Sequence, residues 1–179
     1  CRDGLAPGRL PRAIRFRTSH DVIHFDDLVR GPIEEDVAAL TGDFVVRRAD
    51  GMYAYQLAVV VDDADQGVTQ VVRGADLLAS TARQMALQRA LALPTQSYAH
   101  LPLVVNAGGA KLGKRDGALP LPSLDEARVA ETLALALRIL GVADIPHDTP
   151  ERMLAEGLAK FDPRQIPESG FSVAGLLGC

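Results

Sequence analysis

Apolar residues alternate with arginines from Ala13 to Thr18, where Ile14 and Phe16 are interleaved with Arg15 and Arg17. That period of two is the pattern of a half-buried strand. A second strand is expected from Asp21 to Leu28, carried by Val22, Ile23, Phe25 and Leu28 and ended by Arg30-Gly31-Pro32. Thr18-Ser19-His20-Asp21 supplies turn chemistry for a hairpin between the two. Phe44 to Arg48 is a β-branched strand stopped by Asp50-Gly51. The run Tyr53 to Val61 stays open: propensity favours a strand, Leu57 and Ala58 allow a buried helix, and periodicity does not separate them. Val68 to Val72 reads as a short apolar strand between Gly67 and Gly74. Thr81 to Leu91 reads as a helix, with Thr81 and Gln84 as a capping box and Leu87 and Leu91 on one face. Leu101 to Val105 is a buried strand. Strand, helix and strand in that order predict a βαβ unit with a parallel pair, and so an α/β fold.

The pattern then changes. Asn106 to Pro122 is a long loop bearing glycine, proline and the bases Lys111, Lys114 and Arg115; loops of this length inside a compact domain are commonly functional. Ser123-Leu124-Asp125-Glu126 is a capping box for a helix to Leu140, closed by Gly141. Thr149-Pro150-Glu151 opens another helix to Phe161, with Pro at its first position and Asp162-Pro163 as its stop. The expected layout is an α/β body over residues 1–122, whose basic loop spans 106–118, a short helical annex over 123–165 and a flexible tail over 166–179.

Composition narrows the classes. A chain of 179 residues, 47% hydrophobic and 23% charged, is globular rather than disordered throughout. Its mean hydropathy is +0.08, and it has no apolar run of the roughly 18 residues a membrane span needs, so no membrane partner is expected. The formal net charge is −4, yet Arg2, Arg9, Arg12, Arg15 and Arg17 face a single acid, Asp3, in the first seventeen residues. A local basic face is compatible with an acidic total. Aromatic residues make up 4% and Trp is absent, which argues against an extended base-stacking platform. Two cysteines, Cys1 and Cys179, make no disulfide framework and point to a reducing, cytoplasmic setting. A translated chain begins with Met; one that opens on Cys is expected to be preceded by further sequence.

Some residues carry candidate chemistry. The loop "NAGGAKLGKRDGA" holds two lysines three apart among glycines, suited to phosphate, but it lacks the G-x-x-x-x-G-K-[ST] spacing of a Walker loop, and a solvated basic loop is the simpler reading. Arg73 ends an apolar strand, where open α/β sheets bind ligands. Its guanidinium could clasp a carboxylate, or form a structural ion pair with Asp76 or Asp62. Asp62, Asp63 and Asp65 read as a solvated acidic turn, since no Gly or Glu follows at calcium-loop spacing. His20, His24, His100 and His147 form no H-E-x-x-H motif and read as surface or packed histidines. No serine has a G-x-S-x-G context.

Taken in order, "YAYQLAVVVDDADQGVTQVVRGADLLASTARQMALQRAL", "PTQSYAHLPLVVNAGGAKLGK" and, more faintly, "LAKFDPRQIP" resemble the glutamate-specific class I aminoacyl-tRNA synthetases. The likeness runs from Cys1 to Leu119, and "KLGKR", Lys111 to Arg115, looks like the "KMSKS" signature loop. "RGADLLAST" and the short stretch after that loop, with no room for a large helical anticodon-binding domain, favour the compact glutamyl-Q tRNA(Asp) synthetase branch.

The resemblance implies the second half of a class I Rossmann-type catalytic domain followed by the short annex. The activity it implies is ATP-dependent activation of glutamate and transfer of the glutamyl group to the queuosine base in the anticodon of tRNA(Asp). Tyr55 and Arg73 match the glutamate-binding positions, Lys114 the ATP-contacting and catalytic lysine, and Lys111 its assistant. Cys1-Arg2 looks like the end of a zinc knuckle whose other ligands lie upstream; one thiol cannot hold zinc, which takes four ligands. Magnesium is expected with ATP, and a monomer for the full-length protein. Gly113 stands where the family has a serine. The "HIGH"-type ATP motif and the first half of the nucleotide fold are not in these 179 residues, so the chain by itself is expected to be inactive. Two alternatives stand beside this reading: a truncated glutamyl-tRNA synthetase, and a non-catalytic tRNA-binding remnant.

Overall fold

A computed structural model of the chain describes residues 2, 4–106, 108–113 and 126–172. Strands and helices alternate along it: β1 Ile14–Phe16, β2 Val22–Asp27, β3 Gly31–Asp36, α1 Val37–Leu40, β4 Phe44–Arg47, α2 Tyr55–Asp65, β5 Gln70–Gly74, α3 Leu78–Ala90, β6 Ser97–Leu101, β7 Val104–Val105, α4 Glu126–Ile139, α5 Pro150–Lys160 and β8 Phe171–Ser172. The chain divides into two compact units, Cys1–Asp27 with Gly31–Val71 and Leu77–Tyr98, and Leu28–Arg30 with Val72–Asp76 and Ala99–Cys179.

In the first unit the expected β1–β2 hairpin is not formed. β1 pairs antiparallel with β4, with Phe16 opposite Phe44 and their rings 5.3 Å apart. The hairpin partner of β2 is β3, in a register that sets Phe25 opposite Ile33 and Asp27 opposite Gly31. Gly31-Pro32 therefore opens a strand instead of ending one. Pro32 sits on β3, at the end of the sheet order β3-β2-β6-β5, where a residue without an N–H is tolerated. β2 and β6 supply a parallel pair at Asp27 and Tyr98. The core gathers Ile23, Val37, Phe44, Val60, Ala82, Met85, Leu87 and Tyr98.

The undecided run is a helix, α2, which buries Val60 and packs Leu57 and Val59 against that core. It ends where Gly67, at φ +68, lets its own N–H reach Ala64 O and that of Val68 reach Asp63 O. This is a Schellman closure, and glycine supplies its left-handed residue. α3 starts three residues earlier than expected, because a 3-10 turn over Ala75–Leu77 begins the winding directly after β5. Thr81 is thus fully buried inside the helix instead of capping it, and Gln84 donates to Gln56 Oε1 across to α2 at 3.0 Å. α3 closes with the same hydrogen-bond pattern as α2, but its left-handed position is Ala92 at φ 54.

In the second unit the expected strand Leu101–Val105 is split. Pro102, which has no N–H to give a ladder, separates the end of β6 from β7. α5 follows the sequence signals closely, with Thr149 as N-cap and Pro150 at the first helical position. α4 ends in a Schellman turn at Gly141, where φ is +79 and an added Cβ would lie 2.3 Å from Gln165 O. Gly157 on α5 lies against Leu137 on α4, and Leu137 and Met153 are buried. The segment expected to begin a flexible tail is partly built: Ile166 is buried with Val29 and Ala99, and β8 pairs parallel with β7. Residues 173–179 lie outside the described residues, as does the capping box Ser123–Asp125.

Candidate functional site

β5 carries Arg73 at its carboxyl end in the second unit. Its Nε donates to Nε2 of His100 on β6 at 3.0 Å. His100 is fully buried, and its backbone carbonyl accepts from Nε of Arg30 at 3.1 Å. The imidazole of His100 is thus one anchor of the Arg73 side chain, and the charge of Arg73 also bears on Asp76.

Three residues beyond Arg73, Asp76 stands in the 3-10 turn that leads into α3. Its Oδ2 accepts from Nζ of Lys111 at 2.7 Å. The Lys111 ammonium, with a smaller contribution from the charge of Arg73, holds the Asp76 carboxyl below the usual carboxylate range. Gly74 makes room for this arrangement: a Cβ there would sit 2.5 Å from Asp76 Oδ1 and 3.2 Å from Leu103 Cδ2. The loop that brings Lys111 in is pinned at its base. Asn106 Oδ1 accepts the backbone N–H of Gly108 at 3.0 Å and of Ala110 at 3.1 Å, while Val105 and Lys111 form an antiparallel bridge. An asparagine folding onto its own following backbone is ordinary turn chemistry.

Of the candidate residues, Arg73 and Lys111 thus meet around one carboxylate in the second unit. Tyr55 lies in the first unit, on the first turn of α2, with 57% of its surface exposed. Lys114 and Cys1 lie outside the described residues. Asp62 and Asp63 belong to the last turns of α2 and Asp65 ends it, so the expected acidic turn is helical. His20 and His24 do not share a helical face; they meet Asp36 and Glu34 at 3.0 and 3.2 Å on the β2–β3 hairpin. Among the described residues no group of three His, Cys, Asp or Glu side chains could hold a metal ion. None of the described helices is long and apolar enough to cross a membrane.

The amino-terminal arginines divide. Arg2 is ion-paired with Asp43 at 2.7 Å, and Arg15 donates to the Asp43 carbonyl at 2.9 Å. Arg12 instead lines a shallow groove of about 260 Å³ with Arg47, Arg48 and Gly51. The two missed features, His100 and this groove, had faint signals. The histidine lies one strand over from Arg73, a distance that pattern alone does not reveal. The groove depends on the β1–β4 pairing that sets Ile14 opposite Arg47.

The family model for the catalytic domain of class I tRNA synthetases, E and Q type, matches residues 6–165. The chain belongs to that family. It is 52% identical over 172 residues to the glutamyl-Q tRNA(Asp) synthetase of Geobacter sulfurreducens, covering 93% of this chain and 55% of the relative. It is 56% identical over 141 residues to the protein of the same name from Aromatoleum aromaticum, covering 79% and 44%. Its fold is similar to that of the glutamate-tRNA synthetase of Elizabethkingia anophelis, with a TM-score of 0.68, 25% identity, and coverage of 89% of this chain and 36% of that one. The chain spans about half the length of the curated relatives it matches. The α/β reading and the class I catalytic-domain assignment are therefore right.

Proposed function

We propose that the protein carrying this chain activates glutamate with ATP and transfers the glutamyl group to queuosine in the anticodon of tRNA(Asp). The likeness to glutamyl-Q tRNA(Asp) synthetases over 93% of the chain carries this reading. Within it, Arg73 takes a glutamate carboxylate in a charge-assisted fork, and Tyr55 supplies a hydroxyl that fixes orientation. Adenylate formation joins the glutamate carboxylate to the α-phosphate and expels pyrophosphate. Lys114, assisted by Lys111, meets the charge that develops on the phosphates, and such a charge is worth most where water is excluded. The Asp76 tether sets the base of that loop beside the turn after Arg73.

The remaining expectations travel with this reading. The body, annex and tail are divided at residues 122 and 165, and the 179 residues are inactive alone. Magnesium accompanies ATP, zinc is held by Cys1 with upstream ligands, and the full-length protein is a cytoplasmic monomer. The groove of Arg12, Arg47 and Arg48 suits phosphates of the RNA partner. The structural likeness to a glutamate-tRNA synthetase supports one second reading, in which the acceptor is tRNA(Glu).

The test is to incubate the complete protein with ATP and labelled glutamate, offering tRNA(Asp) with queuosine, tRNA(Asp) without it, and tRNA(Glu). Label on queuosine-bearing tRNA(Asp) alone is the expected result. Label on tRNA(Glu) moves the assignment to the second reading, and label on none of them removes the catalytic reading.

A further inference from the structure

The groove of Arg12, Arg47 and Arg48 lies beside an aromatic ring that packing does not explain. Arg47 and Tyr53 form an antiparallel bridge. It is flanked by hydrogen bonds from the Arg48 N–H to Met52 O at 2.8 Å and from the Ala54 N–H to Val46 O at 2.9 Å. Those bonds make the bridge a non-hydrogen-bonded pair, the kind whose side chains stand closest on one face. Opposite Arg47 on its other side stands Ile14 of β1. Ile14, Arg47 and Tyr53 therefore form one row, in which Tyr53 keeps 66% and Ile14 53% of its surface exposed. Neither apolar side chain belongs to the core of the first unit. The cations beside them are lightly engaged. Arg12 has no hydrogen bond or ion pair among the described residues. Arg47 donates from Nε to Gly51 O at 3.2 Å, and Arg48 pairs with Asp50 at 2.7 Å.

From this row we propose that Tyr53 is a stacking residue for one unpaired nucleotide of an RNA loop, whose flanking phosphates lie in the arginine groove. The inference rests on the reading of that groove as an RNA contact. Phosphate contacts alone do not separate a paired stem from a loop, because both present the same charged backbone. A flat exposed ring does, since only a base released from its own stack can lie on it. The acceptor in the proposed reaction is itself a loop base. An aromatic content of 4% argues against an extended platform, and a single stack needs only one ring.

The experiment measures binding of two synthetic RNAs to the complete protein at low salt. One is a hairpin whose single-stranded loop carries a fluorescent adenine analogue; the other is the same stem as a blunt duplex. Replacing Arg12, Arg47 and Arg48 together with Gln tests the underlying reading. Hairpin binding that is unchanged in that variant, or absent from the parent protein, removes the groove as an RNA contact and the inference with it. Tyr53→Leu then tests the ring. The expected result is hairpin affinity lowered roughly tenfold or more, the scale of one lost base stack, with any duplex affinity unchanged. Tyr53→Phe keeps the ring and is expected to keep both the hairpin affinity and the quenching of the analogue. If the arginine variant weakens hairpin binding while Tyr53→Leu, at matched melting temperature, does not, the groove stands and the stacking role fails. It fails equally if Tyr53→Leu weakens hairpin and duplex alike, or if Tyr53→Phe is no better than Tyr53→Leu.

Discussion

Lys111 Nζ lies 2.7 Å from Asp76 Oδ2, which ties the lysine-bearing loop to the turn that follows Arg73. The two side chains are 57% and 36% exposed, so the bond belongs to the surface class that contributes little to folding. Its effect lies in where it holds Lys111. Asp76→Ala is expected to change the stability of the chain by less than about 0.5 kcal/mol. In the complete protein it is expected to slow glutamate-dependent ATP–pyrophosphate exchange, and Asp76→Glu to restore part of the rate. Thermal melting and the exchange assay, run on the same preparations, check both halves.

Ala92 occupies the left-handed position that closes α3, at φ 54, where a Cβ is disfavoured by about 1–2 kcal/mol. Ala92→Gly removes that penalty and adds some unfolded-state freedom, so the chain should gain about 0.5–1 kcal/mol. A urea midpoint that moves down would show that the surroundings hold Ala92 without strain.

Gly141 combines a left-handed backbone with a carbonyl 2.3 Å from the position of an added Cβ. Both penalties act together in Gly141→Ala, which should destabilise the chain by about 2–4 kcal/mol. Equilibrium denaturation measures it, and a loss under about 1 kcal/mol would show that the turn opens freely.

Asp43 accepts from the Arg2 guanidinium and from the backbone N–H of Thr18, and these bonds hold its carboxyl well below the usual carboxylate range. A depressed folded pKa stabilises above the unfolded value and is lost as pH falls through the folded one. The contribution of Asp43 is therefore complete near neutrality and declines in acid from about pH 4 downward. Asp43→Asn should lower the melting temperature at pH 7 and converge with the parent as pH falls through that window. Parallel melting curves at every pH would contradict the assignment.

Arg12, Arg47 and Arg48 should register as phosphate contacts if the groove meets RNA. Replacing all three with Gln in the complete protein should weaken tRNA binding at low salt and flatten its salt dependence, since each lost contact releases fewer counterions. A slope of log affinity against log salt that stays unchanged would place the RNA elsewhere.

Much of this was legible in residue order. Thr149-Pro150 opens α5 and Gly141 closes α4 because caps are local chemistry, decided within a few residues. Arg73 at the end of β5 followed from the strand before it. The Tyr53–Val61 run was settled by a signal downstream of it: Gly67 followed by apolar Val68 is a helix terminus, and a strand reading gives that pair no role. The pairing of β1 with β4 was hidden because turn residues at Thr18–Asp21 allow a hairpin without requiring one. Thr81 and Gln84 had the spacing of a cap, yet tertiary packing drew both inward. The bonds of His100 to Arg73 and of Asp76 to Lys111 were hidden for the same reason: the partners are distant in sequence and meet only through the fold.

The lysine loop is rooted in β7, and β7 is completed by β8, whose Phe171 stands in register with Val104 and donates its N–H to Leu103 O at 2.8 Å. On a growing polypeptide the two halves of this ladder appear far apart in time. Lys111 emerges from the ribosome well before the strand that steadies its root, and closing so long an intervening segment is slow. The loop is thus among the last parts of the chain able to settle. A nascent protein halted short of Phe171 would hold Arg73 and His100 already in sequence, yet lack the strand that completes β7.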